Sequence, residues 1–382
     1  MFATLLRFSV VLSSVALAMA APPAIEVPED CVVETICEGL DAAVSLDVAR
    51  DGRVFFTEQL GAVRVIENGR LLEEPFVRLE VNSIWERGVI GVAVHPKFPE
   101  QPYVYVHYVR ASPAVQHVVS RFTADGPGFN TCKRESEHLI VEGEDQAKLK
   151  PRIVGAHQGG PMRFGADGKL YVTIGEHTLR DPAQETGTLY GKLLRFNDDG
   201  SIPGDNPFAT SEHALQRGIF SWGLRNPFGL ALEPGTGRLF VTDVGQELFE
   251  EINVVERGGN YGWPAAEGIV GHREGFVKPL HTYNRALGVC IAGAAFVPQE
   301  NSALPTRFHG KLIFADYMGG WLRTLDPAKP ETSEPFAKRI PNPIDLVMAP
   351  DGSLLVLARN AWLHDHKLKR ESGMLLRIRA KE

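Results

Sequence analysis

GLALEPGTGRLFVTDVG (residues 229–245) is an apolar strand, a tight turn built on Gly235 and Gly237, and a second strand of Leu, Phe and Val. Two β-rich runs around a glycine turn make a hairpin. The unit recurs as MRFGADGKLYVTIGE (162–176), where Asp167-Gly168 makes the turn, and as LDVARDGRVFFTEQLGAVRVIENG (46–69), where Asp51-Gly52 does. Looser copies are GVIGVAVHPKFPEQPYVYVHYV (88–109) and IAGAAFVPQENSALPTRFHGKLIFADYMGGWLRTLD (291–326), the second carrying a longer insertion. The last is IDLVMAPDGSLLVLARN (344–360), completed by GMLLRIRA (373–380). Equivalent turns lie roughly 35 to 70 residues apart, as in a degenerate repeat with loop insertions.

Repeated small sheets with almost no helical period predict an all-β protein, a six-bladed β-propeller whose blades bury both faces against their neighbours. A β-sandwich would explain the strands but not the repetition of one unit along the chain. No Pro/Ser/Gly linker separates halves, so a single domain is expected over 21–382, ordered from about residue 30 to 380.

The 382 residues are 44% apolar and 23% charged, enough for a large core. A net charge of -7 with scattered Lys and Arg argues against a nucleic-acid partner. The opening MFATLLRFSVVLSSVALAMAA has an early cation, an apolar run and small residues at Ala18 and Ala20, the pattern of a secretory signal over residues 1–20. An exported protein, periplasmic or secreted, is expected; an uncleaved anchor is the alternative. Four cysteines in an oxidising compartment allow two disulfides in three pairings. Cys31 and Cys37 are expected to pair, since they would close a small loop. Cys132 and Cys290 read equally well as buried free thiols.

GVIGVAVHPKF (88–98), HQGGPMRFGADGKLYVTIGE (157–176), GKLLRFNDDGSIPGDNPF (191–208), SWGLRNPFGLALEPGTGRLFVTDVG (221–245) and EEINVVERGGNYGWP (250–264) together resemble the signatures of the glucose/sorbosone dehydrogenase family. The likeness runs from about Leu40 to the C-terminus and is strongest between His157 and Pro264. It implies a six-bladed propeller with calcium and pyrroloquinoline quinone over the central channel. The resemblance makes His157 a general base for a sugar hydroxyl, a task that suits a near-neutral imidazole. It makes Arg225 and Asn226 the groups that stabilise charge on the quinone oxygens. It implies a cofactor calcium on the backbone carbonyls of Gly245 and Gln246, and a structural calcium at Glu251 and Tyr261. Hard cations accept such oxygens. The plainer readings are a turn-bonded histidine, an arginine bridging blades, a solvated Glu and a packed Tyr.

Departures concentrate where the family clamps the quinone's three carboxylates. Met318 stands at the clamp's lysine, Asn342 and Ile344 at its two arginines, and Phe228 replaces a residue that is often polar. Arg285, Lys338, Arg339 and Arg359 are the nearby cations that could compensate. The stretch ADYMGG (315–320) is similar to the Hedgehog-interacting-protein branch, whose members bind partners. The expected function is quinone-dependent oxidation of an aldose sugar at C1 to the lactone, with an external electron acceptor. The alternatives are a non-catalytic, calcium-stabilised propeller that binds a carbohydrate or protein, and a metal-dependent lactonase whose ring of acidic ligands is not evident.

Overall fold

The computed structural model describes residues 24–149, 155–361 and 370–382. The expected signal segment therefore lies outside the described residues. Six antiparallel sheets follow one another in chain order around a central axis. Blade I begins with the inner strand Ala43–Val48, blade II with Val89–Val94, blade III with Gly159–Phe164, blade IV with Pro227–Leu232, blade V with Ile291–Phe296 and blade VI with Pro343–Met348. Each inner strand pairs with a second strand through the hairpin read from sequence: Val54–Glu58, Tyr103–Arg110, Leu170–Ile174, Leu239–Asp243, Leu312–Asp316 and Leu354–Ala358.

Inner strands such as VIGVAV and IAGAAF are buried at every residue. They touch neighbours on both faces, so they read as continuous apolar runs and not as alternation. Near the axis the strands almost meet: a Cβ on Gly91 would lie 2.1 Å from the Gly160 carbonyl oxygen of the next blade. Farther out, the spaces between blades are filled by aromatic and branched side chains, for example Phe240 against Phe296 with ring centroids 4.7 Å apart. Such edge-to-face pairs add to the area they bury.

The ring closes with a strand taken from the opposite end of the chain. Cys31–Leu40 pairs antiparallel with Gly373–Ala380 and forms the outer edge of blade VI. This strand overturns the Cys31–Cys37 disulfide. Six residues of strand span about 20 Å, whereas bridged cysteines need Cα atoms within about 7 Å. All four cysteines are free thiols.

Buried polar groups tie blades together. Asp345 of blade VI accepts from Ser45 Oγ and the Leu46 amide of blade I, each at 3.0 Å, and Arg163 of blade III reaches it at 3.1 Å. Between blades II and III a chain of fully buried histidines runs His107 Nε2 to His117 Nδ1 at 2.9 Å and His117 Nε2 to His177 Nε2 at 2.8 Å. It ends with His107 Nδ1 donating to the Gly160 carbonyl at 3.1 Å. That carbonyl can only accept, so each neutral ring has one possible tautomer, and His177 Nδ1 is left as an acceptor. Burial pushes His107 down to about 4 and His117 and His177 well below the usual histidine range.

Candidate active site at the channel mouth

Residues that precede the inner strands and residues that end the second strands lie at the same end of the ring. Chain segments far apart in sequence therefore converge there. His157 precedes the inner strand of blade III, in the left-handed region at φ 55°. Its Nδ1 lies 2.5 Å from Glu176 Oε1, just past the end of the second strand, with the Glu176 side chain 1% exposed. Its Nε2 lies 3.0 Å from Arg225 Nη2. A carboxylate can only accept and a guanidinium only donate. His157 is thereby fixed as the neutral tautomer with its proton on Nδ1 and a lone pair on Nε2, the form that takes a proton.

Arg225 and Asn226 precede the inner strand of blade IV and are fastened from below by Asp243. Asp243 Oδ2 accepts the Arg225 amide at 2.8 Å and Oδ1 accepts the Asn226 amide at 2.6 Å. Asn226 Oδ1 in turn accepts the Gly159 amide at 3.0 Å, joining the loops of blades III and IV. Burial pushes Asp243 up to about 6 and the Arg225 guanidinium down from its ordinary range. The Arg225 guanidinium carbon lies 5.5 Å from the centre of the Trp263 ring, a cation–π arrangement. The structure thus brings His157, Arg225 and Asn226 together. Sequence reasoning missed the roles of Glu176 and Asp243, although both lie in quoted stretches (TIGE, VTDVG). The signal available was a carboxylate at the end of an otherwise apolar second strand.

Next to Arg225 a cavity of about 10 Å³ is lined by Asp243, Glu251, Glu267, Tyr261 and the loop at Gly245. Glu251 is buried, accepting the Gly268 amide at 2.5 Å and Asn253 Nδ2 at 3.1 Å. Burial, and then the charge of Asp243, push its carboxyl up to about 8. Among the described residues no three His, Cys, Asp or Glu side chains could hold a metal by themselves. A cation here would therefore need backbone carbonyls as well as carboxylate. The space and the surplus of acid fit one hard cation. Glu267 accepts the amides of Gln246, Glu247 and Leu248 at 2.8 Å each, which holds the loop that carries Gly245.

The cations expected to replace the clamp divide sharply. Lys338 and Arg339 do not face the channel. Lys338 is exposed at the end of the outermost strand of blade V, and Arg339 pairs at 2.7 Å with Glu26, both side chains about half exposed. Arg359 is 1% exposed and bonds Gln59 Oε1 and the Ala42 and Ala43 carbonyls, closing the seam between blades VI and I. Arg285 alone reaches the site loop, on the Gly245 carbonyl at 2.6 Å. Met318 is 40% exposed, Ile344 is buried in the core, and Asn342 Nδ2 donates to the Tyr317 carbonyl at 3.2 Å. A cavity of about 740 Å³ lies at the hairpin turns of blades I and VI on the opposite face, lined by paired groups such as Arg53 and Asp51.

The class is a six-bladed propeller with a carboxylate-oriented histidine against a buried arginine at its channel mouth. The chain belongs to the glucose/sorbosone dehydrogenase family, whose model matches residues 40–367. It is 30% identical to the aldose sugar dehydrogenase YliI of Escherichia coli over 70% of this chain and 69% of that one. It is 33% identical to quinoprotein glucose dehydrogenase B of Acinetobacter calcoaceticus over 48% of this chain and 41% of that one. The crystal structure of an oxidoreductase (glucose dehydrogenase) from Thermus thermophilus is 29% identical and covers 91% of this chain and 99% of that one, with a TM-score of 0.77. Mouse Hedgehog-interacting protein is 27% identical over 53% of this chain and 31% of its own length. The chain spans 69%, 41% and 31% of the length of these three curated relatives. No helix among the described residues is long and apolar enough to cross a membrane.

Proposed function

We propose that this propeller is an exported sugar dehydrogenase that oxidises an aldose at C1 to the lactone, with pyrroloquinoline quinone as its first electron acceptor. The observation that carries the reading is the fixed tautomer of His157, between Glu176 and Arg225. No protein side chain accepts a hydride, and the quinone would supply that two-electron acceptor. The chain's own residues do the rest. His157 Nε2 exchanges its bond from Arg225 Nη2 for one from the C1 hydroxyl and takes that proton as hydride leaves the same carbon, and Glu176 offsets the positive charge that forms on the ring. Arg225, held by the Val244 carbonyl and its own amide on Asp243, presents a fixed cation where negative charge develops. Glu251 and the backbone near Tyr261 would hold a calcium that braces this loop, a structural role. The electrons then pass to an external acceptor.

The test is titration of the purified protein with the quinone and calcium, followed by dye reduction with a panel of aldoses. Reduction that vanishes in His157→Ala supports the reading, and a loss of about 10²–10⁴-fold is expected for removing a general base. No reduction with any aldose would overturn it. A second reading, a calcium-stabilised propeller that binds a carbohydrate or protein without redox chemistry, is favoured by one observation: Met318 is exposed at the clamp position while Lys338 and Arg339 face outward.

A further inference from the structure

Three guanidinium groups converge on three consecutive residues of one loop. Arg225 Nη1 donates to the Val244 carbonyl at 2.8 Å, Arg285 Nη2 to the Gly245 carbonyl at 2.6 Å, and Arg180 Nη1 to Gln246 Oε1 at 3.1 Å. The guanidinium carbons of Arg180 and Arg225 also lie 4.8 Å and 5.5 Å from the centre of the Trp263 ring. The three arginines come from different loops, on blades III, IV and V, so the folded ring alone assembles them.

Arg285 is the most firmly built of the three. Besides Gly245 it bonds the Val289 carbonyl at 2.6 Å and Glu250, whose side chain is 0% exposed. Glu250 Oε2 in turn accepts the Ile291 amide at 3.0 Å and the Gly245 amide at 3.3 Å. Gly245 is thus gripped on both sides, its N–H by Glu250 and its carbonyl by Arg285. A Cβ there would lie 1.6 Å from the Phe249 carbonyl oxygen, so no other residue fits. The Arg285 side chain still keeps 25% of its surface open to solvent.

This carbonyl is one of the two expected to hold a cofactor calcium. Calcium binds oxygen at about 2.3–2.6 Å. An ion on the second lone pair of Gly245 would stand roughly 4 Å from the guanidinium already on the first, and the two cations would repel. We infer that Arg180 and Arg285, beside Arg225, form the anion-binding rim of the channel, and that Arg285 occupies the Gly245 carbonyl that a bound divalent cation would otherwise take. The rim suits a ligand with carboxylates, because exposed Arg180 spends only Nη1 on the loop and Arg285 stays partly open to solvent. Arg180 and Arg285 are the two cations that this loop adds where Met318, Asn342 and Ile344 leave the clamp without charge. For its ligand the inference rests on the quinone reading above; for its calcium count it does not.

Two measurements on the full chain, stripped with chelator, test it. Calorimetric titration with calcium is expected to show no equivalent that survives Glu251→Gln, and an equivalent that persists in that variant would overturn the inference. Quenching of tryptophan fluorescence by pyrroloquinoline quinone in chelator is expected to give a dissociation constant within twofold of that in calcium. In Arg285→Gln the constant should rise at least tenfold, with circular dichroism unchanged. Quinone binding that requires added calcium, or that Arg285→Gln leaves unaltered, would overturn the rim. Absence of quinone binding under both conditions would sink the dehydrogenase reading and the rim's ligand together, with the calcium count still deciding what occupies Gly245.

Discussion

Replacing His107 with Gln should flatten the acid side of the stability curve. In the fold His107 is a neutral donor to Gly160 and an acceptor from His117, and burial lowers it from 6.5 to about 4. The unfolded chain takes up a proton near 6.5 that the folded one refuses. Stability from this group is therefore full above pH 6.5 and is lost as pH falls toward 4. At about 1.4 kcal/mol per pH unit the whole loss is about 3.4 kcal/mol, of which about 2 kcal/mol falls between pH 7 and pH 5. Asp243, Glu250 and Glu251, raised to about 6, 7 and 8, titrate with the opposite sign over the same range. The wild-type slope alone would hide the effect, and the difference between variants isolates it. Gln keeps one donor and one acceptor, so the variant should fold with the chain of bonds largely intact. Urea unfolding of both proteins at three pH values gives the comparison. The wild type should lose about 2 kcal/mol more than His107→Gln between pH 7 and pH 5. Parallel curves would refute the assignment of a neutral, buried His107.

Glu176→Gln should lower kcat by about 10²–10⁴-fold with little change in KM, because an amide can donate to Nδ1 and place the proton on the wrong nitrogen; steady-state kinetics on any oxidised aldose reads this. Chelating calcium should lower the thermal midpoint, since an ion bound only in the fold stabilises it by mass action, and Glu251→Gln should reproduce most of that loss in calorimetry. An unchanged midpoint would remove the Glu251 site. Four thiols should react in denaturant without reductant, as the four cysteines are free; two missing thiols would show a pairing absent from this fold. Gly91→Ala should destabilise by about 1–3 kcal/mol through overpacking, seen as a lower urea midpoint, because the new methyl would meet the Gly160 carbonyl oxygen at 2.1 Å.

The hairpins were legible because each is local. A turn such as Asp51-Gly52 or Asp167-Gly168 and the apolar runs beside it declare themselves within about twenty residues. The closing strand CVVETICEGL was not legible, since its partner lies at the other end of the chain and nothing in its own pattern names that partner. The expected Cys31–Cys37 pairing fails for the same reason: along an extended strand, nearness in sequence is not nearness in space. His157, Arg225 and Asn226 could be found from the resemblance. What orients them could not: Glu176 and Asp243 act across hydrogen bonds set by the folded loops. Direction was equally hidden for the cations. Lys338 and Arg339 are neighbours in sequence of the last blade yet lie at the outer rim, while Arg180, which belongs to none of the quoted motifs, faces the site loop.

Ring closure has a consequence for the order in which the molecule can be made. The residues of the site run from His157 to Arg285 on blades III to V, contiguous along the chain, so they can meet while later blades are still being synthesised. The strand Cys31–Leu40 leaves the ribosome early but has no partner until Gly373–Ala380 emerges. Through nearly the whole of translation it is an unpaired β edge, the kind that joins other chains. A chaperone or secretion factor that holds this strand until the last residues arrive would act at the point of greatest exposure, and loss of the final strand would leave an open arc with two adhesive ends.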